Sequence, residues 1–186
     1  MGTQYVETTG IGEPLQRIHA EESDVLSALC REIYAQYYLH LWHDNGVWYQ
    51  QMRYDPAVLA SELTDSQSEF YWVNHEDRNV GYLKLNRNTR PDPATLPVNK
   101  SGLEIERIYL HKASTGLGLG YRAMAWAEDR ARQLGRNILF LYTMDSSDAR
   151  FFYEKLGYVK SGNKRLSFEK MKPEYRGMYL MIKELR

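Results

Sequence analysis

The chain has 186 residues, 43% of them hydrophobic and 26% charged, and its formal net charge is zero. This composition excludes a disordered or fibrous protein, and no apolar run approaches the roughly 20 residues that cross a bilayer. The single cysteine, Cys30, cannot form an internal disulfide and has no zinc-ligand spacing around it. We therefore expect one cytoplasmic domain over residues 1–186, with no metal and no membrane contact.

The charge is distributed unevenly along the chain. Residues 1–70 contain 3 Lys or Arg against 11 Asp or Glu, whereas residues 151–186 contain 9 against 4. One end suits a cationic ligand and the other an anionic one, or the two are solvated faces that compensate each other. The balanced total argues against a nucleic-acid-binding stripe.

The first 102 residues predict two helices and a hairpin. A short strand at 14–20 precedes a helix whose apolar positions recur from Val25 to Leu41. An aromatic-rich, glycine-interrupted connection over 42–54 leads to a second helix that begins near Pro56. Strands at 70–74 and 79–85 form a hairpin, and residues 86–102, with three prolines, predict a surface loop.

The strand at 103–110 contains a break in its alternation. Leu103 and Ile105 share one face, but Ile108 and Leu110 have the opposite parity. All four can be buried only if an extra residue is inserted near Glu106 and Arg107, which predicts a β-bulge. Bulges often lie beside active sites.

A glycine-rich turn, Gly116-x-Gly118-x-Gly120, joins this strand to a helix. It lacks the small residue of a dinucleotide fingerprint and the Gly-Lys-Ser/Thr of a nucleoside-triphosphate loop. Two interpretations remain: backbone N–H groups that bind a phosphate at a helix N-terminus, or a tight turn that needs glycine for steric reasons. A strand at 138–142, a helix from Ser146 to Leu156 and strands near 158–161 and 178–183 follow, which predicts a mixed α/β sheet.

Three segments together resemble the Gcn5-related N-acetyltransferase (GNAT) family: residues 104–110, 115–120 and 149–158. The Glu-x-Glu-Arg-Ile-Tyr strand is similar to that of the PaiA-type polyamine acetyltransferases. The resemblance implies a single α/β domain with a mixed, mostly antiparallel sheet of about seven strands and helices on both faces. Residues 103–160 would form the cofactor-binding core and residues 1–70 mainly the acceptor side.

The resemblance also implies acetyl-coenzyme A as co-substrate, with its pyrophosphate on the glycine turn and its pantetheine beside the bulged strand. Thr115 stands where the family usually has Gln or Arg, and most donors of the turn are backbone N–H groups that survive this change. Ser146 stands where the family usually has Asn, and it keeps a hydroxyl that can cap the helix or reach the cofactor. The implied cofactor-binding residues are Ile108, Tyr109, Leu110, Thr115, Gly116, Leu117, Gly118, Leu119, Gly120, Ser146, Phe152 and Lys155.

The implied reaction needs a base and an acid, because an alkylammonium has a pKa of about 10.4 and must lose a proton. Glu106, at the bulge, is the predicted base, acting directly or through a water, with Glu104 in reserve. Tyr153 matches the family's usual acid for the leaving thiolate. The alternatives are an exposed strand carboxylate for Glu106 and a core aromatic for Tyr153.

The predicted acceptor is a primary amine, a polyamine-like small molecule or else a protein N-terminus or lysine. Its expected contacts are Tyr38, Trp42, Asp44 and Glu104, since carboxylates and aromatic faces attract cationic amines. A non-catalytic coenzyme A sensor and an interaction scaffold with purely structural glycines are the rival hypotheses. The sequence leaves the oligomeric state open, with a two-fold homodimer as the commonest arrangement.

Overall fold

The computed structural model describes residues 15–91 and 101–185, and in them the strands form one seven-stranded sheet in the order β1-β2-β3-β4-β5-β7-β6. Every neighbouring pair is antiparallel except β4 and β5. The strands are β1 Gln16–Arg17, β2 Ser68–His75, β3 Arg78–Asn86, β4 Gly102–Leu110, β5 Ile138–Met144, β6 Val159–Arg165 and β7 Gly177–Glu184. The helices are α1 Ser23–Tyr37, α2 Val47–Tyr54, α3 Pro56–Thr64, α4 Leu119–Gln133 and α5 Ala149–Lys155.

Two apolar cores lie on opposite faces of this sheet. Helix α4 buries Ala123, Met124 and Ala127 against strands β2 to β5 and β7, and α5 packs at the edge of the same core. On the other face, α1 to α3 pack against Phe70, Trp72 and other side chains of β2 and β3. Cys30 is buried there, as its helical pattern predicts. The expected fold class, a mostly antiparallel sheet of about seven strands with helices on both faces, is confirmed.

The N-terminal region differs from the sequence prediction in two elements. Helix α2 occupies residues that were predicted to form only a connection, and α1 ends at Tyr37 instead of continuing to Leu41. The glycine that was predicted to interrupt this segment begins the helix: Gly46 is the N-cap residue of α2, with a φ of 77°. The Asp44 carboxylate accepts hydrogen bonds from the backbone N–H groups of Gly46 and Trp48, both at 3.0 Å, and so stabilises the start of α2.

The other boundaries follow the local signals. Asp55 accepts a hydrogen bond from Ala57 N at 3.0 Å and caps α3, whose first residue is the predicted Pro56. The hairpin of β2 and β3 turns at Glu76 and Asp77, both with positive φ. Most of the predicted loop at 86–102 lies outside the described residues. None of the described helices is long and apolar enough to cross a bilayer.

The centre of the sheet opens into a cleft. The parallel pairing of β4 with β5 covers only Gly102 to Glu104 against Ile138 to Phe140. Beyond that point β4 pairs with β3 alone, and β5 continues along β7 to Met144. The two central strands therefore separate, and the second half of β4 presents one backbone edge to the gap between them.

Candidate active site

The predicted bulge lies in β4, on the edge of this cleft. Lys84 of β3 pairs with Arg107, but its neighbour Leu85 pairs with Ile105, so Glu106 is the inserted residue. The insertion returns Ile108 and Leu110 to the face of Leu103 and Ile105, in the core beneath α4. The bulge prediction, made from the parity of four apolar residues, is confirmed.

The bulge also determines which backbone groups face the cleft. His111 N donates to Val80 O at 2.8 Å, and the same register continues through Tyr109 and Arg107 opposite β3. Since backbone groups alternate in direction along a strand, the N–H groups of Ile108 and Leu110 point away from β3. They face the side from which β5 has separated, and can bind the amides of a ligand lying along the strand.

One cavity, of about 430 Å³, runs from this edge of β4 to the glycine turn and the start of α4. Gly118 is the N-cap residue of α4, a helix of 15 residues, with a φ of 75°, and Gly116 has a φ of 82°. A Cβ added at either glycine would meet nothing within 4 Å, so glycine is required there for its backbone conformation and not for close packing. Gly120 is different, because a Cβ there would lie 3.3 Å from the Phe152 ring.

This open turn fits the diphosphate of coenzyme A. The unpaired N–H groups of the first turn of α4 lie at the helix end that attracts anions, with free space in front of Gly116 and Gly118. Thr115 donates its hydroxyl to Lys112 O at 2.7 Å, which holds the turn and leaves the backbone donors available.

Most of the predicted cofactor residues line this cavity: Ile108, Tyr109, Leu110, Thr115, Gly116, Gly118, Leu119, Gly120 and Phe152. Three do not. The Leu117 side chain is 52% exposed, and Ser146 and Lys155 are exposed at the two ends of the α5 region, away from the lining. Ser147, not Ser146, accepts a hydrogen bond from Ala149 N at the start of α5.

A second cavity, of about 260 Å³, lies on the other side of β4, between the sheet and helices α1 and α2. Of the predicted acceptor residues, Tyr38, Trp42 and Glu104 line it, together with the predicted base Glu106. Asp44 does not, because its carboxylate is used in capping α2. We call this space the acceptor cavity and the first one the cofactor cavity.

Glu106 belongs to a four-charge cluster at the wall of the acceptor cavity. Its carboxylate lies 2.7 Å from Lys84 Nζ and 3.0 Å from Arg107 Nη2. Glu62 of α3 binds the same two cations, at 3.0 Å and 3.2 Å. Burial alone would raise the pKa of Glu106, but the charges of Arg107 and Lys84 outweigh it and lower the pKa from 4.5 to about 2. Glu106 is therefore an anion at any ordinary pH.

A single amide connects Glu106 with Glu104. Asn86 Nδ2 donates to Glu106 Oε2 at 2.6 Å and to Glu104 Oε2 at 3.0 Å. Two carboxylates from β4 are thus held side by side on the cavity wall. Glu106 is neutralised by the cluster, whereas Glu104 has this amide as its hydrogen-bonding partner.

Tyr153 lies where the two cavities meet. It lines both of them, together with Tyr38, Ile108 and Tyr109. Burial, and to a lesser extent Tyr38, raises the pKa of Tyr153 well above its ordinary value of 10. The phenol is therefore fully protonated at neutral pH and can donate a hydrogen bond at the junction.

Several residues that line the cavities were not predicted from the sequence. The acceptor cavity includes Arg53, Thr143, Lys164 and Phe168, which lie on α2, β5, β6 and the segment before β7. The cofactor cavity includes Tyr37 and Tyr121, which read as ordinary helix positions. These residues come from segments that are distant in sequence, so only the folded structure brings them to one cavity. Arg53 is the exception: Tyr49 and Arg53 are one helical turn apart on α2, and a correct prediction of α2 would have placed them on the same face.

Comparison with known proteins agrees with this geometry. Residues 28–158 match the sequence profile of the acetyltransferase (GNAT) family. The chain is 33% identical over 103 residues to an uncharacterized N-acetyltransferase in the pepI 3′ region of Lactobacillus delbrueckii subsp. lactis. That match covers 55% of this chain and 58% of the Lactobacillus protein.

Two solved structures share the fold over nearly the whole chain. A GCN5-related N-acetyltransferase from Rhodopseudomonas palustris has a TM-score of 0.67 at 20% identity, covering 99% of this chain and 100% of that one. The PaiA N-acetyltransferase of Thermoplasma acidophilum, solved in complex with coenzyme A, has a TM-score of 0.67 at 19% identity, covering 92% and 98%.

The chain belongs to the acetyltransferase (GNAT) family, since the family profile covers most of its length. The resemblance inferred from the three motifs is confirmed at the level of the family. Membership of the PaiA-type subgroup stays a prediction.

Proposed function

We propose that this protein transfers the acetyl group of acetyl-coenzyme A to a primary amine at the junction of the two cavities. The observation that carries the proposal is the meeting of two distinct cavities at Tyr38, Ile108, Tyr109 and Tyr153. One has the open glycine turn at a helix N-terminus, and the other has two carboxylates on its wall. This arrangement is suited to bringing an anionic carrier and an amine together from opposite sides of β4.

The cofactor cavity would hold coenzyme A through the backbone. The N–H groups around residues 116–120 would bind its diphosphate, and that of Leu110 would bind a pantetheine amide, which leaves the N–H of Ile108 for the acetyl group. When bound, acetyl-coenzyme A supplies the acetyl group as a thioester and leaves as a thiol. The Ile108 N–H, preorganised on the strand beside the bulge, would stabilise negative charge on the acetyl oxygen.

Glu106 prepares the amine for attack. Its pKa of about 2 makes it a weak proton acceptor for direct catalysis, since an efficient base has a pKa near the working pH. The fixed anion is better suited to orienting a water that removes the ammonium proton and to holding the amine nearby. Glu104, which lacks the two cations of the cluster, is the reserve base at the same wall.

Tyr153 completes the proton balance at the junction. As the amine nitrogen bonds to the acetyl carbon and the carbon–sulfur bond breaks, the sulfur gains negative charge. The phenol would pass its proton to that sulfur, so that coenzyme A leaves as a thiol, and would regain a proton from the nitrogen, which loses its second proton as the amide forms. The first proton of the ammonium leaves through the water held by Glu106. No hydrogen bond within the described residues occupies the Tyr153 hydroxyl.

The acceptor cavity favours a small molecule over a protein chain. It is lined by α1, α2, β4 and β5 and by residues 164–171, and its volume of about 260 Å³ suits a small amine. A polyamine-like amine, as the sequence predicts, is one such acceptor. The Thermoplasma neighbour is named as a PaiA N-acetyltransferase, and it shares the fold.

Release of free thiol from acetyl-coenzyme A tests this function on a panel of amines. The panel contains diamines, amino acids, aminoglycosides and lysine-containing peptides. We expect release that depends on both substrates and an N-acetylated product by mass spectrometry. Binding of acetyl-coenzyme A without turnover on any amine would instead support a non-catalytic sensor, and absence of binding would support a scaffold.

A further inference from the structure

Arg53 of α2 has an unusual environment in the acceptor cavity. It lines that cavity, and its Nε atom is buried without a hydrogen-bond partner. Three other arginines have a partnerless Nε, but each makes another contact: Arg87 with Glu69 at 3.8 Å, Arg122 with Asn74 O, and Arg136 with Asn88 at 3.5 Å. Within residues 15–91 and 101–185, Arg53 has neither a hydrogen bond nor an ion pair.

An arginine without partners in a cavity requires an explanation. Buried polar groups are nearly always satisfied, and an unsatisfied one destabilises the fold, more so when it is charged. The neighbouring Arg107 shows the usual solution, because Glu62 and Glu106 bind it from two sides. Arg53 has no such partner within the described residues although it lines the acceptor cavity, so a group of the bound acceptor is the natural partner for its guanidinium.

The position of Arg53 relative to the carboxylates supports the same reading. Burial raises the pKa of Tyr49, the charges of Arg107 and Arg53 lower it, and the charge of Glu106 raises it. The charges of Arg53, Arg107 and Glu106 therefore all lie close enough to the Tyr49 hydroxyl to affect its pKa. Arg53 and Glu106 line the same cavity within electrostatic range of Tyr49.

The charges around the cavity provide a partner for an anionic group of the guest as well as for its amine. Glu62 and Glu106 are neutralised by Lys84 and Arg107. What remains on the lining is the Glu104 carboxylate together with two cations, Arg53 and Lys164. Four acidic residues of the N-terminal third are used elsewhere: Asp44 and Asp55 cap helices, Glu69 binds Arg130 and Glu32 binds His111.

We propose that Arg53 binds a carboxylate of the acceptor, so that the substrate class is an amine that also has a carboxylate, such as an amino acid. This inference rests on the proposed function. The amine lies at Glu104 and Glu106, the carboxylate lies at Arg53, and the planar guanidinium provides two parallel donors for it. Arg53 is a specificity-determining residue and takes no part in the chemistry.

The test uses pairs of amines that differ only by a carboxylate: ornithine with putrescine, lysine with cadaverine, and 6-aminohexanoate with pentylamine. For the wild type, kcat/KM is expected to be at least about tenfold higher for the carboxylated member of one or more pairs, the effect of a charged hydrogen bond. Arg53→Gln is expected to reduce that ratio to about one, chiefly through KM. Arg53→Lys should retain part of the preference, since it keeps the charge but loses the paired donors.

Arg78→Gln, at an exposed arginine of the β2–β3 hairpin, is the matched control and should leave the ratio unchanged. Equal or better turnover of the decarboxylated amines by the wild type would overturn the inference and leave the acetyltransferase function standing. An unchanged ratio in Arg53→Gln would also overturn it. Absence of thiol release with every amine would overturn the proposed function and the acceptor class with it.

Discussion

Glu106 is the inserted residue of a β-bulge, and its carboxylate is bound by two buried cations, Lys84 and Arg107. The bulge places it on the cavity wall, and the cations keep it ionised. A carboxylate in this state attracts an ammonium ion and orients water well, but holds a proton poorly. Its role is therefore testable through the pH dependence of the reaction.

Glu106→Gln should lower kcat/KM about 10²-fold or more at neutral pH, where the acceptor is an ammonium ion. Near pH 10 a substantial fraction of the amine is already neutral, and the variant should regain much of the wild-type rate. The wild-type profile should show no carboxylate inflection near pH 4.5, because the pKa of Glu106 is about 2. A profile for Glu106→Gln parallel to that of the wild type would remove Glu106 from the proton path, and Glu104→Gln then tests the reserve base.

Stability must be controlled in that experiment. The folded-state pKa of Glu106 lies below its ordinary 4.5, so its ion pairs stabilise the fold above about pH 4.5 and lose that effect as the pH falls towards 2. The substitution also leaves buried Lys84 and Arg107 with one carboxylate fewer. Rates are therefore compared above pH 6 and well below the melting temperature of the variant.

Tyr153→Phe removes the hydroxyl at the junction of the cavities and keeps the ring that packs against Phe152 and Tyr158. We expect kcat to fall about 10-fold to 100-fold, with the Kd for acetyl-coenzyme A nearly unchanged. Calorimetry gives the Kd, and thiol release gives kcat. Tyr175→Phe, outside both cavities, is the control, and wild-type turnover by Tyr153→Phe would show that Tyr153 is only a packing residue.

At the scale of elements, two glycines with similar backbone conformations allow the effect of conformation to be distinguished from the effect of ligand binding. Gly118 and Gly135 both have a positive φ, 75° and 64°, and a Cβ at either would meet nothing within 4 Å. Alanine at each position should cost about 1–2 kcal/mol of stability from the left-handed conformation alone. Only Gly118 is at the start of α4, where the diphosphate would bind.

Gly118→Ala should therefore weaken acetyl-coenzyme A binding about tenfold or more in calorimetry, whereas Gly135→Ala should leave the Kd unchanged. At Gly118 the substitution would shift the backbone N–H donors and place a methyl group beside them, and both changes would weaken binding of the diphosphate. The same Kd for both variants would mean that the turn is structural and that its glycines do not form a binding surface.

The elements also show what the sequence could and could not reveal. The bulge was predictable because side chains alternate between the two faces of a strand. The four apolar residues Leu103, Ile105, Ile108 and Leu110 can share the buried face only if one extra residue is inserted between them. Helix α2 was not predictable, because a glycine within a segment usually indicates a break. Here Gly46 is the N-cap residue, and the helix start depends on hydrogen bonds to the Asp44 carboxylate that the sequence does not reveal. Ion pairs between residues far apart in the sequence, such as those of Glu62 with Lys84 and Arg107, cannot be predicted from any local sequence pattern.

At the scale of the whole molecule, the function depends on an interruption in the sheet. Strands β4 and β5 pair for three residues and then separate, and each cavity lies on one side of β4 beyond that point. The motifs at 103–120 and 149–158 indicated the cofactor side of this cleft. The acceptor side is assembled from α1, α2, β5 and residues 164–171, whose distances in sequence conceal their contact.

The structure of the complex with coenzyme A tests the central claim most directly. We predict that the diphosphate binds the backbone N–H groups of residues 116–120 and that the sulfur lies between the N–H of Ile108 and the hydroxyl of Tyr153, facing the acceptor cavity. A complex in which the sulfur points away from that junction, or in which coenzyme A binds elsewhere on the surface, would contradict the account.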